Sequence, residues 1–474
     1  MTLKFKISFI FLFLVNCIFA QLTPEKKDAI RTIDNISSQL FNLSDEIWEY
    51  AELALKENKS SQALMNFAEK NGFKVTKGVA EMPTAFIAEY GSGKPIIGIL
   101  GEFDALPGLS QKTVPYRSEL VKNGNGHGCG HNMFGVGSLG AAIAVKDLIQ
   151  KGVLKGTIRF YGTPAEEDKG GKVYMARAGL FNDLDICLDW HPATSIKVNR
   201  QTYQAVVDYD IVFKGKSAHA ASDPWNGRSA LDAAELFNVG INFLREHIKP
   251  SVRIHYVYKD AGGFPNVIPN KAIVWLWIRD NKYAGVKVVE ERLFDIAKGA
   301  ALMAGVDYEV NIKNGAYELI LNDAGAQAMQ QNMNLLGNIE YTDAELKFAD
   351  TMMRSANQDF QGIDGKVHPL EAEKEIPDGG STDVGDVSYN VPVITLNATT
   401  APAGASWHSW IFVASGGMSI GHKGLQYASK TLALTMIDLF ENATLRTQIR
   451  QEFEKRKGQQ VWKAVLPPGP LPFD

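Results

Sequence analysis

Cysteine is nearly missing from this chain: 474 residues contain three, and one of them, Cys17, falls in an N-terminal stretch that reads as a removable leader. The remaining pair, Cys129 and Cys187, is too small a set for a disulfide-built fold. One bridge between them stays open as the structural alternative to a metal-bound Cys129. Basic runs are absent and the formal net charge is -4, which argues against nucleic acid as a partner. A long apolar run occurs only in the first twenty residues, MTLKFKISFIFLFLVNCIFA, where Lys4 and Lys6 precede it and Ala20 stands before Gln21. That is the pattern of a secretory signal peptide, and it places the mature protein outside the cytoplasm, secreted or periplasmic. The run is too short for a comfortable bilayer span, so no stable membrane anchor is expected. Internal repeats and low-complexity tracts are also lacking, and the composition is that of an ordinary globular protein.

What is present is concentrated chemistry. The stretch GHGCGHN, Gly126 to Asn132, places Cys129 and His131 on either side of one glycine, just ahead of the small-residue run that begins at Met133. Thiolate and imidazole are preferred ligands of borderline-soft divalent metals, and the glycine lets the backbone turn sharply between them. The apolar run reads as a buried helix, so the cluster is expected at a helix N-terminus, where the dipole favours a thiolate. Three strand-like runs then end in reactive side chains. KPIIGILGEFDALPG delivers Glu102 and Asp104, GTIRFYGTPAEEDKGG delivers Glu166 and Glu167, and DLDICLDWHP delivers His191. In open α/β sheets ligands bind beyond the carboxyl ends of parallel strands, so these three endings are expected to converge. Two of them have a bland reading: a solvated acidic turn for Glu166 and Glu167, and a structural histidine for His191.

A chain of this length calls for two domains, or one large domain carrying an insertion. Residues 1–20 are assigned to the leader and 21–202 to the first part of a catalytic domain. From Tyr203 to about Gly315 the pattern is strand VVDYDIVFKG, a helix capped at Ser229, strands VRIHYVYKD and KAIVWLWIRD, helix VKVVEERLFDIAKGAALMAG and strand VDYEVNIKNG. That β-α-β-β-α-β order is the ferredoxin-like unit, read as an inserted domain over 203–315, with the catalytic domain resuming over 316–474. An amphipathic helix capped at Ser44 is predicted near the start. A capping box, Thr342 to Glu345, opens another helix later in the chain. The fold class is thus α/β, with a mixed, largely parallel sheet in the catalytic part.

Taken in order, GEFDALPGLSQ, NGHGCGHN, GTPAEE, DWHP, GKSAHAA, the PNVIPN and IRD pair, STDVGDVS, and WHSW with HKG downstream resemble the metal-dependent aminoacylase and carboxypeptidase superfamily of peptidases, in its amidohydrolase branch. The resemblance runs from about Glu46 to Lys430; the motifs are specific as a set, and each alone is weak. It implies a zinc-peptidase-like catalytic domain and an inserted lid that also dimerises the protein. It further implies two divalent ions, Zn or Mn, on Cys129, His131, Glu167, His191 and His408, with Glu166 as general base. Asp104 matches a carboxylate that orients a metal-bound imidazole. His219 matches a histidine that reaches a neighbouring active site to stabilise an oxyanion, which implies a homodimer; its alternative is a loop histidine. Asn266 and Arg279 match residues that grip a substrate carboxylate, although Arg279 at a strand end also suits a surface ion pair. His408 within WHSW reads equally as part of an aromatic patch without the resemblance. The chain departs from the wider superfamily in carrying Glu102 where many members have a ligand histidine, and from the branch in carrying Asn132 where many have aspartate.

The function this implies is hydrolysis of the amide bond in N-acyl or N-aroyl amino acids, glutamate being one candidate for the amino-acid half. The alternatives are a dipeptidase or carboxypeptidase on the same scaffold, and a non-catalytic periplasmic binding or accessory subunit. A related second subunit is left open.

Overall fold

The computed structural model describes residues 22–467 together with 469 and 471, so the expected signal peptide lies outside the described residues. Seven strands form one sheet: β1 (Lys74–Lys77), β2 (Phe86–Gly91), β3 (Ile96–Gly101), β4 (Thr157–Gly162), β5 (Ile186–Ala193), β6 (Lys197–Val198) and, after a second sheet, β11 (Val393–Thr399). Their order is β1-β2-β4-β3-β5-β11-β6. The four central strands β4, β3, β5 and β11 run parallel, and antiparallel neighbours close both edges. These central strands are apolar along nearly their whole length because helices cover the sheet, as parallel sheets require.

The register of β3 and β4 decides where the chemistry falls. Gly101 pairs with Gly162, and the Thr163 amide donates to the Gly101 carbonyl at 2.8 Å. The two acidic loops, Glu102 to Asp104 and Ala165 to Glu167, therefore leave the sheet side by side. His191 is still inside β5, paired in register with Asn397 of β11, rather than beyond the strand end.

The helix His131–Gln150 crosses the sheet buried along nearly all its length, which is how an apolar helix of this composition sits inside a soluble core. Small residues let it approach its neighbours: Gly137 lies against the Trp190 ring and Gly140 against Leu40. The Trp190 Nε1–H, fully buried, donates to the Phe134 carbonyl at 3.0 Å.

The expected cap at Ser44 is not where a helix starts. One helix runs Pro24–Tyr50, capped by Thr23, whose hydroxyl accepts the Lys26 amide. The apolar period does not break at Ser44, and its buried hydroxyl instead accepts from Asn132 Nδ2 at 3.1 Å. Ser229 does cap the helix Ala230–Leu244 through the Asp232 amide.

The second sheet is antiparallel: β7 (Ala205–Lys214), β8 (Arg253–Asp260), β9 (Lys271–Asp280) and β10 (Asp307–Ala316), in the order β10-β7-β9-β8. The helices Ala230–Leu244 and Tyr283–Ala304 follow β7 and β9 and pack a separate hydrophobic core with it, including Phe213, Phe237 and Leu293.

The capping box at Thr342 forms as expected, with Glu345 also receiving Lys423 Nζ at 2.7 Å. Burial raises the Glu345 acid, but Lys423, Ser419 and the Thr342 cap outweigh it and hold the carboxyl down at about 2. Glu345→Gln is expected to cost roughly 1 kcal/mol at neutral pH. Because the folded value lies below the ordinary 4.5, the wild-type advantage is full above that value and is lost as pH falls toward 2. Urea unfolding of both proteins across this range checks it; a constant difference at every pH would assign the effect to packing.

Candidate metal centre and active-site cleft

Gly130 sets the geometry of the centre. It has φ +80, and a Cβ there would lie within 3 Å of Pro192 and of the Met133 side chain, so glycine is required to turn the chain from Cys129 into the helix that starts at His131. His131 is fully buried. Its Nδ1 pairs with Asp104 Oδ1 at 2.9 Å, and its Nε2 faces Glu102 Oε2 at 3.0 Å. Asp104 uses its second oxygen to accept the Glu167 amide at 2.9 Å, so one carboxylate orients both an imidazole and the acidic loop. Cys129 Sγ lies 3.6 Å from His191 Nε2, and the other nitrogen of that ring lies 2.7 Å from the Pro192 carbonyl. His408 Nε2 lies 3.5 Å from Glu167 Oε2. The His408 backbone is left-handed, φ 55, and Ala165 before Glu166 is likewise at φ 64. Such backbone is costly for residues with a Cβ and here aims the side chains at one point.

Donor atoms gather in three sets, each within 4.8 Å: Cys129, His131 and His191; Cys129, Glu167 and His408; and Glu102, His131 and Glu166. Cys129 belongs to two of them. His131 Nε2, Glu102 Oε2 and Glu167 Oε1 are all buried without a hydrogen-bond partner. Buried polar atoms are rarely left so, and a soft-to-borderline donor set of imidazole, thiol and carboxylate fits a divalent cation. Cys129 and Cys187 are both free, so the bridge between them does not form.

The electrostatics correct one expectation. Burial pushes the Cys129 thiol well up, and the charges of Glu167 and Glu166 add to this, outweighing the help of His131. A neighbouring cation is needed to make it a thiolate. Burial and the charges of Glu102 and Glu167 raise Glu166 well above the usual carboxylate range. Burial lowers His191 to about 4, keeping its imidazole neutral and able to ligate.

Of the residues singled out in the sequence, Asp104, Cys129, His131, Glu166, Glu167, His191 and His408 are brought together. Arg279, on β9, faces them across a cleft of about 250 Å³ that Glu166, Glu167 and His408 also line. Its guanidinium lies over the Trp277 ring and donates to Ser381 Oγ at 2.9 Å. His219 and Asn266 do not line this cleft. They lie exposed beside each other, with the Ala220 amide on the Asn266 carbonyl at 3.0 Å. His127 is buried with Nε2 on the Ile47 carbonyl, and Asn132 points to Ser44 and Gly416, so both hold the helices rather than the centre.

Three further residues were not singled out in the sequence, although Asp383 lies within STDVGDVS. Lys172 is fully buried between Glu102 and Asp383, at 2.5 and 2.7 Å. Glu57 accepts the Ala165 amide at 2.9 Å and so fixes the turn that carries Glu166. A lysine inside the otherwise apolar KVYMA is a usable signal for Lys172 and its partner Asp383; nothing local marks Glu57.

Clustered imidazoles, a buried thiol and paired carboxylates beside the parallel strands define a metallohydrolase of the α/β class. The chain belongs to peptidase family M20/M25/M40, whose model matches residues 98–366. It is a metal-dependent hydrolase of amide or peptide bonds. It is 37% identical to a subunit of the p-aminobenzoyl-glutamate hydrolase of Escherichia coli (strain K12), over 91% of this chain and 96% of that protein. It is 30% identical to Xaa-Arg dipeptidase of Homo sapiens, over 94% of this chain and 96% of that protein. Among solved structures, a dinuclear metal-binding M20 peptidase of Bacillus subtilis shares the fold at 20% identity and TM-score 0.58, covering 86% of this chain and 99% of that one.

Proposed function

We propose that the protein is an exported amidohydrolase, secreted or periplasmic, that cleaves N-acyl or N-aroyl amino acids, with p-aminobenzoyl-glutamate as the leading candidate. The buried, unpartnered His131 Nε2 and Glu167 Oε1 inside sets of converging donors carry this reading. Cys129, His131, Glu167, His191 and His408 would hold two divalent ions, zinc or manganese. Such ions polarise a scissile carbonyl and acidify water. Glu166, its proton affinity raised by burial and by Glu102 and Glu167, takes the proton of the attacking water and delivers it to the leaving amine. Asp104 fixes the His131 ring. Arg279 and Ser381 receive the substrate carboxylate across the cleft.

The unit from β7 to β10 is read as an inserted ferredoxin-like lid over 203–315, between catalytic segments 21–202 and 316–474. Its exposed Val239, Phe243 and Val257 support a homodimer through this unit. His219 would act in the partner's site. Its Nδ1 accepts the Ala221 and Ser222 amides, at 3.2 and 3.1 Å, so the neutral ring carries its proton on Nε2, free to donate to an oxyanion, with Asn266 beside it. That the Escherichia coli relative is a subunit keeps a second, related chain in view. The dipeptidase reading rests on the human relative.

The test is purification of the chain without its first twenty residues, metal counting, and assay of one panel containing p-aminobenzoyl-glutamate, N-acyl amino acids and dipeptides. Amide release from the first two groups is expected, and Arg279→Ala should raise KM at least tenfold with a smaller change in kcat. Cleavage of dipeptides alone would move the assignment to a dipeptidase; an equal loss at kcat would take Arg279 out of substrate binding.

A further inference from the structure

Beside the five proposed ligands lies a chain of buried charges that the mechanism above leaves unused. Lys172 Nζ pairs with Glu102 Oε1 at 2.5 Å and with Asp383 Oδ1 at 2.7 Å, while Asp383 Oδ2 accepts the Lys172 amide at 2.8 Å. All three side chains are at most 3% exposed. One ammonium thus serves two carboxylates in a place closed to bulk solvent, and the His131 ring is the other group beside Glu102 that can carry positive charge. The oxygen left over, Glu102 Oε2, is buried and has no hydrogen-bond partner. It stands 3.0 Å from His131 Nε2, which is equally unpartnered, and the two atoms are close without being aligned for a hydrogen bond. A separation of about 3 Å is that of adjacent donors on one cation with bonds of roughly 2.1 Å. Glu166 offers its own oxygen to the same set.

We propose that Glu102 is a sixth protein ligand of the metal centre, sharing a cation with His131, and that Lys172, anchored by Asp383, is the positioning residue that occupies its other oxygen and aims it. The inference rests on the reading of the centre as metal-binding. It accounts for three observations together: the orphaned oxygen, the close unaligned contact with His131, and a buried lysine holding the other oxygen of Glu102.

The experiment uses the leaderless chain, stripped of metal and reloaded with cobalt(II), whose visible bands report the donor atoms directly. Wild type is expected to bind two ions. Glu102→Gln, which keeps the shape and the contact with Lys172, should bind one ion at least tenfold more weakly and change the bands. If Glu102 is only a counter-ion for Lys172, the apo melting temperature falls while stoichiometry, affinity and bands stay as in wild type, and the proposal is overturned. Wild type binding no cobalt would instead overturn the metal reading itself. Should the single variant fold poorly, Glu102→Gln with Lys172→Met removes the pair as a neutral unit. That double variant must show the same weakened cobalt binding, and wild-type bands in it overturn the proposal equally.

Discussion

Glu166→Gln is expected to lower turnover by roughly 10²- to 10⁴-fold, the range a positioned proton-transfer group contributes, while metal content stays at the wild-type value. The substitution keeps the side chain's size in a part-buried position lining the cleft and removes only its ability to carry a proton. It also removes a negative charge from a neighbourhood where Glu102, Glu167 and Asp383 already crowd it, so the folded protein should not lose stability. Burial first, and these charges after it, hold the wild-type acid well above the usual carboxylate range. Since the base must be ionised to act, kcat/KM should fall on the acid side of its pH profile, and the residual activity of the variant should lack this limb. Steady-state rates across pH, with metal counted by elemental analysis, decide the matter. Turnover within a factor of two of wild type would remove Glu166 from proton transfer.

Cys129→Ser is the second large effect. Its sulfur belongs to two of the donor sets, so its loss weakens both at once, and a hydroxyl is a poor replacement for a thiolate toward borderline-soft metals. Metal bound per chain is expected to fall at least tenfold and hydrolysis to become undetectable. Burial and the charges of Glu167 and Glu166 keep the thiol protonated when no cation is near. Metal binding must therefore expel a proton, and wild-type affinity should weaken as pH falls. A chelator should lower the wild-type melting temperature by several degrees and leave the variant where it already is. Full metal occupancy in the variant would exclude Cys129 from the ligand set.

Strand ends and their side chains are legible in the sequence because a parallel strand writes itself as an apolar run, and the residues just past its end must face the ligand side of the sheet. The apolar runs alone place Glu102, Asp104, Glu166 and Glu167 in this way. The β-α-β-β-α-β order of residues 203–315 is legible for the same reason of period. Ser44 misleads because a serine followed by two acids has the local chemistry of a helix start, whereas the apolar face of the helix runs through it unbroken. The displaced charge on Cys129 escapes the sequence because a helix dipole can be read there and the carboxylates folded against it cannot. Glu57 and Lys172 act over separations of 108 and 211 residues, on Ala165 and Asp383, and only closure of the sheet makes them neighbours. The left-handed turn at His408 belongs to the same class: histidine gives no sign of it.

Trp277 and Arg279 on one side of the cleft and Glu166 and His408 on the other descend from two different sheets, each with its own hydrophobic core. On the proposed roles, the guanidinium that would grip the substrate and the carboxylate that would move its proton are supplied by separate stretches of the chain. Substitutions along β9 and β10 would, on those roles, retune which molecules are admitted while the proton-handling groups stay untouched, so a shift in diet need not await any redesign of the chemistry.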